Sequence, residues 1–237
     1  MSKNRSQSKS TSHAAGARAA IDAHLARLRA CLGAVDTARV NAIAERLRDV
    51  AAAGGLIFTA GNGGSAATAS HMALDFGKST FGRPPRVEAL RVRALSLADP
   101  SPVLTAWAND EGYEGVFAEQ VTALARRGDA IVLLSVSGNS PNVVAAARAA
   151  RSAGAAVIAL TGHPGGGVRG LADLAVVVPS DDYRVVEDVH LAISHMLTGY
   201  LAEALAPGSR APAPAAPRRS SAVRRRQAHP ARRRRRS

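Results

Sequence analysis

The chain has one cysteine, Cys31, in 237 residues. That excludes an intramolecular disulfide and makes a reducing, cytoplasmic compartment the expectation. Aromatic residues are only 3% of the chain. None interleaves with the arginines crowded at the C-terminus, so a base-stacking nucleic-acid surface has no support. No apolar run is long enough to span a bilayer, and the first residues lack the hydrophobic segment of a secretion signal. Acidic residues are missing from both ends. Residues 1–17 hold three basic residues and no acid, and residues 207–237 hold eleven arginines and no acid. The formal net charge of +13 therefore belongs to the ends, because seventeen basic face eighteen acidic side chains between Arg18 and Ala206.

Three regions follow. Residues 1–13 read as a disordered polar and basic tail, 14–206 as one domain with a core of ordinary size, and 207–237 as a disordered Pro/Arg-rich tail. A solvated extension is the simpler account of the second tail. Weak, salt-sensitive contact with RNA, DNA or another polyanion is the sharper one.

What is present in the domain is alternation. Apolar spacing predicts helices over 14–32 and 37–53. Strands are then expected at 55–60, 92–98, 130–136, 156–161 and 174–178. Between and after them helices are expected near 64–77, 101–108, 115–126, 141–153, 167–172 and 183–205. Such alternation implies right-handed crossovers and a three-layer α/β fold with a five-stranded parallel sheet, flanking helices and leading N-terminal helices. The flavodoxin-like strand order 2-1-3-4-5 is the expectation, and it makes the first and third strands neighbours at the ligand-binding switch point.

Both of those strands run into serine- and glycine-rich turns that open helices, Gly61-Asn62-Gly63-Gly64-Ser65 and Ser135-Val136-Ser137-Gly138-Asn139-Ser140. Amides, hydroxyls and a helix N-terminus converge in such turns and suit an anion. The first turn also fits a dinucleotide fingerprint, but the acid that should follow about twenty positions on is Asp99, far too distant. No Gly-Lys-Ser/Thr follows, which excludes a P-loop. Ser140 reads as a helix N-cap before Pro141. Ser135 and Ser137 precede it and are free for a phosphate.

Three histidines draw attention. His71 and Asp75 share a helix face four residues apart, where a surface hydrogen bond would be the simple account. On the last helix Val186, Val189, Ile193, Leu197 and Tyr200 form the buried stripe. His195 lies nearly opposite, facing water or another subunit, and His190 lies near the stripe as a partly buried, hydrogen-bonded histidine.

The two turns, Ser70-His71-Met72-Ala73, Asn109-Asp110, Asn142-Val143, Ala159-Leu160-Thr161-Gly162 and Glu187-Asp188-Val189-His190…His195 together resemble the sugar isomerase (SIS) domain family, and within it the phosphoheptose isomerases. The resemblance spans roughly residues 14 to 205. It implies isomerisation of a phosphorylated sugar, sedoheptulose 7-phosphate to a heptose 7-phosphate. Ser135, Val136, Ser137 and Ser140 would hold the phosphate; Asn62, Gly63, Gly64, Asn109, Asp110 and Glu187 would line the sugar site. His71, Asp75, Glu187 and His195 occupy the positions of zinc ligands, with Asp75 and His195 catalytic. The family's proton-moving glutamate is Asp75 here, and its glutamine is Glu187. A homotetramer (or dimer) with sites at subunit contacts is implied. Other members of the class are phosphosugar-sensing regulators, replication-initiator adaptors without the catalytic carboxylate, or isomerases of other phosphosugars.

Overall fold

The computed structural model describes residues 4–81 and 91–206, with side chains over 16–80 and 91–206. Residues 1–3 and the tail expected at 207–237 lie outside the described residues. Five strands, β1 (Leu56–Gly61), β2 (Arg93–Ser96), β3 (Ala130–Ser135), β4 (Ala156–Gly162) and β5 (Leu174–Val178), form one parallel sheet in the order β2-β1-β3-β4-β5. This is the expected order. β3 is the middle strand and is buried along its whole length, which is why its sequence is continuously apolar rather than alternating.

Helices cover both faces. On one face α2 (Thr37–Ala52), α3 (Gly64–Lys78) and α8 (Tyr183–Ala204) pack Ile43, Leu47, Met72, Phe76, Val186, Val189, Ile193 and Leu197 against the sheet. On the other, α5 (Ala118–Leu124), α6 (Pro141–Ala153) and α7 (Gly166–Leu171) bury Val121, Val143, Ala146, Ala147 and Val168, while α4 (Ser101–Asp110) lies at the periphery and buries no residue completely. α1 (Asn4–Gly33) leads the chain and starts ten residues before the apolar spacing that predicts it. A polar stretch can continue a helix through backbone hydrogen bonds without leaving any periodic signal. No helix among the described residues is long and apolar enough to cross a membrane.

The register brings the two turns together. Gly61 at the end of β1 pairs with Leu134, so the chain leaves β1 and β3 side by side. Parallel crossovers also make α3 and α8 run in the same direction along one face of the sheet. These two facts position everything below.

Candidate active site

The β3 turn folds back on itself. The Gly138 amide donates to Ser135 Oγ at 3.1 Å and the Asn139 amide to Ser137 Oγ at 3.2 Å. Gly138 has φ +66°, and a Cβ there would collide with the Gly165 carbonyl oxygen, so glycine is required. Ser140 does sit at the N-cap position of α6, but its side chain makes no capping bond. Its hydroxyl instead lies 3.4 Å from Ser135 Oγ. α3 starts at Gly63, which also has no side-chain cap, whereas Asp36 and Asp182 cap α2 and α8. The start of α3 thus leaves its first amides available to a ligand, whereas at α6 Pro141 has no N–H and the Val143 amide donates to the Ser140 carbonyl oxygen at 3.0 Å, which leaves the Asn142 amide.

The crevice is lined by Asn62, Ser65, Ser135, Val136, Ser137, Ser140, Tyr183 and Glu187. Glu187 lies over Gly64, where any added Cβ would strike its carboxylate. Asn62 is tied to Asn142 by two reciprocal amide hydrogen bonds of 2.9 Å. Tyr113 donates its hydroxyl to Asn62 Oδ1 at 3.1 Å. Asn142 and Tyr113 were not among the expected site residues. Their bonds span 80 and 51 residues, and no local pattern signals such a pairing. Asn109 and Asp110 end α4, exposed, with the Asn109 amide donating to Asp110 at 2.8 Å. Tyr113, not they, reaches the β1 turn.

About two turns further along α3, His71, Asp75 and His195 converge. His71 Nε2 and His195 Nε2 lie 3.4 and 3.8 Å from Asp75 Oδ2, and 3.4 Å from each other. Asp75 Oδ1 accepts a hydrogen bond from Ser79 at 3.1 Å. The donor atoms lie within 4.8 Å of one another. Ligands about 2.0–2.2 Å from a tetrahedral zinc are roughly 3.3–3.6 Å apart, so these three side chains fit such an ion. Glu187 does not join them. It lies eight residues before His195, roughly 12 Å along the helix axis, with its carboxylate over Gly64. The structure therefore brings together three of the four expected ligands and places Glu187 in the crevice.

His190 departs from its expected state. It is fully buried, and among the described residues neither ring nitrogen has a hydrogen-bond partner; Ser194 Oγ beside it is equally unpartnered. Burial pushes its imidazole down to about 4, and the Thr161 main chain offsets only a part of this, without a bond of good geometry.

A parallel 2-1-3-4-5 sheet with paired Ser/Gly turns at its switch point defines an SIS-type phosphosugar fold, and residues 23–162 match the family model described as SIS domain. The chain belongs to the SIS domain family and, within it, to the phosphoheptose isomerases. A phosphoheptose isomerase of Trichlorobacter lovleyi is 40% identical over 169 residues, covering 71% of this chain and 84% of that protein. One of Solidesulfovibrio magneticus is 45% identical over 159 residues, covering 67% and 74%. Among solved structures, phosphoheptose isomerase GmhA from Neisseria gonorrhoeae superposes with a TM-score of 0.71 at 30% identity, covering 78% of this chain and 97% of that one.

Proposed function

We propose that the chain isomerises sedoheptulose 7-phosphate to a D-glycero-heptose 7-phosphate. One observation carries the reading: a carboxylate flanked by two imidazoles stands about two turns along α3 from a crevice lined by a serine turn whose Ser140 makes no helix cap.

Ser135, Ser137 and Ser140 hold the phosphate at the N-terminal end of α6. Asn62 and Glu187 border the sugar. Asp75 removes the proton from the carbon beside the carbonyl and returns it to the neighbouring carbon. Its Oδ2 faces the imidazoles, which leaves Oδ1, restrained by Ser79, as the oxygen that carries the proton. His195, an imidazole that can both give and take a proton, moves a proton between the two substrate oxygens. Zinc held by His71, Asp75 and His195 would instead supply a Lewis acid for the carbonyl oxygen, taking the place of proton transfer by His195.

The working unit is a homotetramer in the cytoplasm. Self-contact has support in the outer face of α1, where Ile21 is 60% and Leu25 41% exposed next to a broad groove against α8. Apolar side chains in such a patch suit contact with another copy. The test is incubation of the zinc-supplied protein with sedoheptulose 7-phosphate, read by NMR. A heptose 7-phosphate is the expected product, and binding without turnover contradicts the reading.

A further inference from the structure

We propose that Asn142 and Tyr113 are positioning residues that fix the side-chain amide of Asn62, so that it offers the sugar an N–H and no lone pair. The inference rests on the isomerase reading above and deepens it.

The argument is one of satisfaction. An amide oxygen has two lone pairs and an amide nitrogen two hydrogens. Asn62 Oδ1 accepts from Asn142 Nδ2 at 2.9 Å and from Tyr113 OH at 3.1 Å, which uses both lone pairs. Asn62 Nδ2 gives one hydrogen to Asn142 Oδ1 at 2.9 Å. Its second hydrogen has no acceptor among the described residues, and Asn62 lines the crevice. The polarity that Asn62 presents is therefore set by two residues that do not themselves have to touch the ligand.

The two partners hold it differently. Asn142 is 2% exposed and sits in the first turn of α6, immediately after the serine turn. Its reciprocal pair with Asn62 clamps the β1 turn to the β3 turn and fixes the distance between sugar wall and phosphate grip. Tyr113 is 56% exposed and reaches in from the loop after α4. Without its hydroxyl, Asn62 Oδ1 keeps a free lone pair and the amide loses one of its three restraints. The matching ligand atom is an acceptor oxygen of the sugar, such as the ketose carbonyl. A free phosphate in the serine turn does not need this donor.

The test is calorimetric binding of sedoheptulose 7-phosphate and of inorganic phosphate to five forms of the full chain: unsubstituted, Tyr113→Phe, Asn62→Ala, the double variant of these two, and Asn142→Leu. Loss of one neutral hydrogen bond corresponds to roughly 3- to 10-fold. Tyr113→Phe is expected to weaken the sugar phosphate by about that factor and to leave inorganic phosphate unchanged. In the Asn62→Ala background it should do nothing further, because Tyr113 acts through Asn62. Asn142→Leu should also weaken the sugar phosphate selectively. If the buried or turn variants fail to fold, exposed Tyr113→Phe with its phosphate control decides alone. Unchanged sugar binding, an equal loss for inorganic phosphate, or a second full loss in the Asn62→Ala background overturns the proposal. Retained binding without turnover in the unsubstituted chain overturns the isomerase reading instead.

Discussion

His71 on α3 and His195 on α8 meet edge to face, with ring centroids 5.1 Å apart and planes inclined by 67°. They are 124 residues apart in sequence. Two parallel helices on one face of the sheet bring them together, and Asp75 completes the group from one turn below His71. Glu187 and Gly64 meet at the start of the same helix pair, so phosphate crevice and His/Asp group are two levels of one helix interface.

On the proposed reading, zinc would be held by these three side chains. In competition against a chromophoric chelator, His71→Ala and His195→Ala are expected to lose zinc affinity by 10-fold or more, the effect of removing a ligand of about 2 Å bond length. Glu187→Gln should change it little. A loss in Glu187→Gln equal to that in His71→Ala would place Glu187 among the ligands.

Ser140 separates capping from ligand binding. A capping serine replaced by alanine costs about 1 kcal/mol, yet Ser140 makes no capping bond. Ser140→Ala is expected to change stability by less than about 0.5 kcal/mol and to raise KM by roughly 10- to 100-fold, the value of a hydrogen bond to a charged group. Denaturant melts and steady-state kinetics check both. A loss of stability with unchanged KM would restore the capping role.

Two glycines at the crevice should behave oppositely. Gly138→Ala forces a Cβ into the Gly165 carbonyl at φ +66°, and neither backbone can yield, so a loss of about 3 kcal/mol is expected. At Gly64 the obstacle is the mobile end of Glu187. Gly64→Ala should leave stability nearly unchanged but raise KM, as the carboxylate is displaced into the crevice. Equal destabilisation in the two melts would contradict this.

His190 gives stability a pH dependence. Its imidazole is lowered from 6.5 to about 4, so the unfolded chain binds the proton more readily. The contribution is complete above pH 6.5 and is lost as pH falls towards 4, in total about 3 kcal/mol. His190→Leu removes this limb. Its stability relative to the unsubstituted chain should therefore rise steadily between pH 6.5 and 4 in urea melts. A constant difference would mean that His190 is paired in the folded state.

Much of this was legible in the sequence because its causes are local. Continuous apolar runs such as Ala130–Leu134 mark buried parallel strands, and the i,i+4 spacing of His71 and Asp75 puts them on one face. The position of His195 opposite the Val189/Ile193 stripe already implied an outward-facing imidazole. The illegible parts depend on distant partners. Nothing near Asn142 reveals that it is buried against Asn62, and nothing near Glu187 tells that its carboxylate ends over Gly64 rather than beside His195. The hydrogen-bonded state expected of His190 failed for the same reason. Burial follows from the helix stripe, but the presence of a partner depends on what β4 offers.

Proton transfer at Asp75 is the centre of the account, and solvent exchange measures it directly. The protein is incubated with sedoheptulose 7-phosphate in deuterated water, and the carbon next to the carbonyl is followed by NMR, for the unsubstituted chain and for Asp75→Asn. Deuterium should enter that carbon with the unsubstituted chain, and Asp75→Asn should abolish the exchange while still binding the sugar phosphate. Undiminished exchange in Asp75→Asn would contradict the assignment of Asp75 as the base.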